Sequence, residues 1–87
     1  MVVYVLNIRW DDDVNGAESR TAGIFSSYLK AAERMKKIYL MELDDFLKRN
    51  NGKDKLVYEL KDYSAEMYDP CGWDEMHMNI QAVIVDE

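Results

Sequence analysis

The chain has 87 residues, 48% of them hydrophobic and 32% charged, with a formal net charge of −6 at pH 7. That length suits a single domain over residues 1–87 with one hydrophobic core, and the apolar content excludes a disordered tail. The lone cysteine, Cys71, excludes an intramolecular disulfide, and no run approaches the ~20 apolar residues of a membrane span, so a reducing, cytoplasmic setting without membrane attachment is expected.

The first element reads as a strand over residues 2–10. Val2, Tyr4, Leu6, Ile8 and Trp10 share one face, while Val3, Val5, Asn7 and Arg9 share the other. The apolar run Val2 to Leu6 has no basic residues ahead of it and no small-residue cleavage site, so it is not read as a secretion signal. Residues 11–16 are polar and end in Asn15-Gly16, a strong signal for a tight turn. A second short strand follows over residues 20–25, where Gly23 either weakens the strand or marks a close approach.

Ser26 or Ser27 can cap the helix that comes next, because a serine hydroxyl accepts from the unpaired amides of a first turn. The helix is expected to run to about Asn50. At 100° per residue, Tyr28, Ala31, Ala32, Met35, Tyr39, Leu43 and Phe46 form one apolar stripe. Glu33/Lys37, Asp44/Lys48 and Asp45/Arg49 pair four residues apart on the exposed side. Leu29, Leu40 and Leu47 fall outside the stripe as a second ridge. A sheet covers one side of a helix, so this ridge is expected to meet either residues 63–75 or a second copy in a homodimer.

Residues 56–61 alternate as a third strand and residues 76–85 as a fourth, with a loop expected over 63–75 because Asp69-Pro70 and Gly72 interrupt it. The expected fold is therefore α+β: a four-stranded antiparallel sheet, β-β-α-β-β, with one long helix on one face and strand order 2-1-3-4. The strand Val3-Tyr4-Val5-Leu6, the entry Gly23-Ile24-Phe25-Ser26-Ser27 and the helical Ala31-Ala32 together resemble small bacterial and phage β-β-α-β domains of unknown function. The resemblance spans residues 2–62 and implies the same hairpin, helix and returning strand. It brings no catalytic residues.

Three constellations could carry chemistry. Asp11, Asp13, Asn15 and Gly16 match the opening half of a calcium loop, making Asp11, Asp13 and Asn15 candidate metal ligands. The closing acidic ligand is replaced by Ala22, so tight calcium binding is not expected. Cys71 and His77 could form a nucleophile and base, or a zinc site with Asp69 and Asp74. Acidic neighbours oppose thiolate formation, however, and the spacing matches no zinc pattern. No cofactor motif is complete, and no enzymatic activity is expected.

Charge is more informative. Residues 1–26 carry a net −2, residues 27–55 a net +3 and residues 56–87 a net −7. The acidic third interleaves aromatics, which makes Tyr63, Glu66, Tyr68, Asp69, Trp73, Asp74 and Glu75 the candidate partner-binding residues. An acidic, aromatic surface repels nucleic acid and attracts a basic protein patch. The expectation is a small inhibitor or adaptor acting on a basic protein surface, such as one that binds nucleic acid, of the kind phages direct against host defence nucleases. A structural or regulatory homodimer is the alternative. Lys30, Arg34, Lys36, Lys37, Lys48 and Arg49 are interleaved with acids, so a solvated helix face is expected there rather than direct nucleic-acid binding.

Overall fold

A computed structural model of the chain describes residues 1–12, 16–50, 55–70 and 74–86. The elements are β1 (Val2–Asp12), β2 (Gly16–Phe25), α1 (Tyr28–Arg49), β3 (Val57–Leu60), β4 (Ser64–Tyr68) and β5 (Glu75–Ile84). The five strands form one antiparallel sheet in the order β2-β1-β5-β4-β3. The class is α+β as expected, but four strands and the order 2-1-3-4 were not correct.

Both departures have one source. Residues 64–68 lie in the expected loop, yet Ala65 and Met67 alternate with Ser64, Glu66 and Tyr68, and this short period sends the first pair inward to full burial. Once β4 exists, β3 and β4 form a hairpin, and β4 in turn pairs with β5. The longer strand β5 then takes the place beside β1 that the expected order gave to β3. Its ten residues match β1 from Val2↔Ile84 to Asp11↔Glu75, whereas β3 has four residues and lies at the edge.

One face of the sheet holds the core. Leu6 and Ile8 of β1, Met76, Met78 and Ile80 of β5, and Ala65 and Met67 of β4 are buried against Ala31, Met35, Ile38, Tyr39 and Phe46 of α1. Fully burying a side chain of this kind contributes about 1.5–3 kcal/mol, so this layer supplies most of the drive to fold. Four of these residues are methionines, whose unbranched, flexible chains adapt readily to the space between a sheet and a helix.

Local chemistry holds α1 at both ends. The Ser27 hydroxyl accepts from the Lys30 amide at 3.3 Å, and the buried Asn50 side chain donates to the Phe46 carbonyl at 2.8 Å. Lys48 and Arg49 in the last turn suit the negative end of the helix dipole. In β2, the register shifts opposite Leu6 and Asn7, leaving Ala22 as an extra residue. Nearby, a Cβ on Gly23 would lie 2.7 Å from the Phe25 ring, so glycine here marks a close approach. Beyond the bulge, Arg20 faces the helix side and sets its guanidinium 5.0 Å above the Trp10 ring. Among the described residues, no helix is long and apolar enough to cross a membrane.

Tyr39 is buried at 6% exposure. Burial, then the Tyr58 phenol and Glu59, push its hydroxyl above the ordinary value of 10.0. The folded state therefore keeps this proton after the unfolded chain has lost it. The resulting stability is fully present below pH 10.0 and is lost as pH rises through the raised folded value. Urea midpoints measured across the alkaline range should hold steady and then fall, with a shallower fall in Tyr39→Phe. Equal slopes for the two proteins would show that Tyr39 does not contribute.

Candidate functional site

The alternation that sends Leu6, Ile8, Met76 and Met78 under the helix sends Asn7, Arg9, His77 and Asn79 to the opposite face. Among the described residues α1 is the only helix, and it lies on the other side, so this face is open. Two polar rows cross it. One runs Thr21, Asn7, Asn79, Ser64 and the next runs Ser19, Arg9, His77, Glu66, Glu59, each residue directly opposite its neighbour. Thr21 donates to the Asn7 side-chain oxygen at 3.4 Å. A shallow depression of about 520 Å³ lies between β2, β1 and β5, lined by Asn7, Arg9, Ser19, Thr21, His77 and Asn79.

His77 anchors the acidic half of this face. Its Nδ1 lies 3.6 Å from Glu66 and its Nε2 3.4 Å from Glu75. Both distances exceed those of a good hydrogen bond. The Tyr68 ring lies nearly parallel to the imidazole, with centroids 6.4 Å apart and planes at 21°. Arg9 sits across the strand pair and reaches Asp11 at 3.8 Å, while Lys61 reaches Glu59 at 3.8 Å.

Glu59 and Glu66 are directly opposed on β3 and β4. Like charges in that position destabilise a sheet. Around them the open face carries Asp11, Glu59, Glu66 and Glu75 against the fixed cations Arg9 and Lys61. It is therefore acidic toward its β3 side and close to neutral around the depression.

The expected site residues separate into groups. Glu66, Tyr68 and Glu75 come together around His77. Tyr63 lies at the far end of β4, where its ring is 4.8 Å from Tyr28 and its carbonyl accepts from the Ile80 amide at 2.7 Å. Asp69 is buried, and its amide donates to the Asp74 carbonyl at 3.2 Å. Asp74 pairs with Arg49 at 3.5 Å and so ties the β4–β5 connection to the end of α1. Trp73 and Cys71 lie outside the described residues, as do Asp13 and Asn15 of the candidate calcium loop; the remaining ligand of that loop, Asp11, is turned toward Arg9. Among the described residues, no group of three or more histidine, cysteine or acidic side chains could hold a metal ion. Leu29, Leu40 and Leu47 are exposed on α1 at 73%, 53% and 39%.

Asn7, Arg9, Ser19, Thr21, Glu59 and Asn79 were not among the expected site residues, and His77 was considered only as a partner of Cys71. A signal for them was present, since each is a polar residue on the outward period of a strand. What no strand shows alone is the register that aligns them across the sheet.

The opposed pair gives a direct test. Glu59→Gln removes one of two facing charges and should stabilise the fold by about 0.2–1 kcal/mol in urea unfolding at low ionic strength. The gain should shrink in high salt. A destabilised Glu59→Gln protein at low salt would show that the facing carboxylates do not repel. No protein-family model matches the chain, and neither the curated proteins nor the solved structures give a significant match.

Proposed function

We propose that the chain is a non-enzymatic, cytoplasmic protein-binding module that works as an inhibitor or adaptor, using its open sheet face to dock a basic surface on another protein. The observation that carries this reading is the facing Glu59–Glu66 pair, kept at a cost to the fold on a face where no described element covers it. Charges that oppose folding are offset when a cationic partner neutralises them. Tyr68 beside them offers a rigid amphipathic ring of the type that anchors protein interfaces.

The dimensions suit such a contact. Five strands at about 4.8 Å spacing give a face roughly 24 Å wide, which over several residues of strand approaches the area one partner contributes to a standard interface. A basic surface that normally binds nucleic acid fits this acidity, and occupying it would block that binding, as expected of a phage-type inhibitor of a host defence nuclease.

Affinity capture from a lysate of the native host, identified by mass spectrometry, tests the reading when three samples are compared. The parent protein at low salt should retain a basic protein. High salt should release it, and Glu59→Lys/Glu66→Lys should fail to retain it while keeping the parent's circular dichroism. A partner held equally well in all three would contradict docking through this face.

A further inference from the structure

The leucine ridge on α1 plays no part in the open face. On its solvent side the helix carries Glu33, Lys37, Asp44 and Lys48, at roughly 140 to 200° around the axis from Tyr28, next to the ridge at roughly 100 to 120°. Asp44 and Lys48 pair with one another at 2.9 Å, yet their side chains remain 69% and 75% exposed, so both can meet further charges. Their order along the helix is acid, base, acid, base. Reversed end for end about a point between Leu40 and Met41, Glu33 comes level with Lys48 and Lys37 comes level with Asp44. A second helix laid antiparallel therefore meets opposite charge at all four positions. A parallel copy in register would place each charge against itself.

We propose that two copies of this chain pair through α1, antiparallel, about a two-fold axis passing between Leu40 and Met41. The two Leu40 side chains meet beside the axis, and Leu47 packs along the flank of the facing helix. Leu29 lies about one turn outside the overlapping stretch, which runs from Glu33 to Lys48. A two-fold axis makes every contact occur twice, so each ion pair counts double and one small apolar ridge suffices as the centre of the interface. The ion pairs set direction and register, because exposed pairs contribute modestly on their own.

Sedimentation velocity or light scattering over a range of concentrations tests the pairing. The parent protein should rise from 10.2 kDa toward twice that mass. Leu40→Glu should stay monomeric with unchanged circular dichroism, and Leu29→Glu should still dimerise. Lys37→Glu should weaken dimerisation by roughly tenfold, and adding Asp44→Lys should recover most of that loss by exchanging the charges. A monomer at every concentration would overturn the proposal, as would a dimer indifferent to Leu40→Glu. A double variant no better than Lys37→Glu alone would overturn the antiparallel register.

Discussion

The packing of α1 against Leu6, Ile8, Met76 and Met78 governs the rest of the molecule. A single helix on one side of a five-stranded sheet buries the middle of that face and nothing of the other. Residues buried beneath the helix must be apolar. Those on the other face are free of that demand and can be chosen for charge and hydrogen bonding. Because strand residues alternate, every inward residue of β1 and β5 fixes an outward neighbour, and the position of α1 thereby decides that Arg9, His77 and Asn79 face solvent together.

From this constraint the functional reading follows. Around His77 the open face carries carboxylates, amides and a tyrosine, and its valines lie toward the other end of β1. Two glutamates in direct opposition are unfavourable for the isolated chain, and a cationic partner removes that disadvantage. Pairing through α1 would use the reverse side of the molecule, so it would leave the open faces of both copies available. A dimer of this kind could engage two basic surfaces at once, raising avidity without a new type of contact.

Much of the architecture was legible in the residues. The apolar period of β1, the Ser27 cap, the helical stripe and the alternation of β5 each report a local preference that the fold then satisfies. β4 was hidden because five residues hold barely two inward positions, one of them an alanine, and Pro70 and Gly72 nearby signal a turn. The strand order was hidden for a different reason. It depends on which long strand finds β1, a non-local choice that alternation cannot express. The candidate site shared that limit: Glu66, Tyr68 and Glu75 could be named from their acidic and aromatic character, whereas their grouping with Arg9, Glu59 and His77 depends on the pairing of four strands. Asp69 and Asp74 show the converse, since acidic residues that resemble a binding surface in sequence are used to fasten the β4–β5 connection.

The central claim is that the open face, and its acidic side in particular, takes a basic protein surface. Nuclear magnetic resonance titration of the folded protein with an arginine- and lysine-rich peptide addresses it residue by residue. The account predicts shift changes centred on Glu59, Glu66, Tyr68, Glu75 and His77, weakening as salt is added, with the amides along the exposed side of α1 little affected. Changes confined to α1, or scattered over the whole surface, would contradict it.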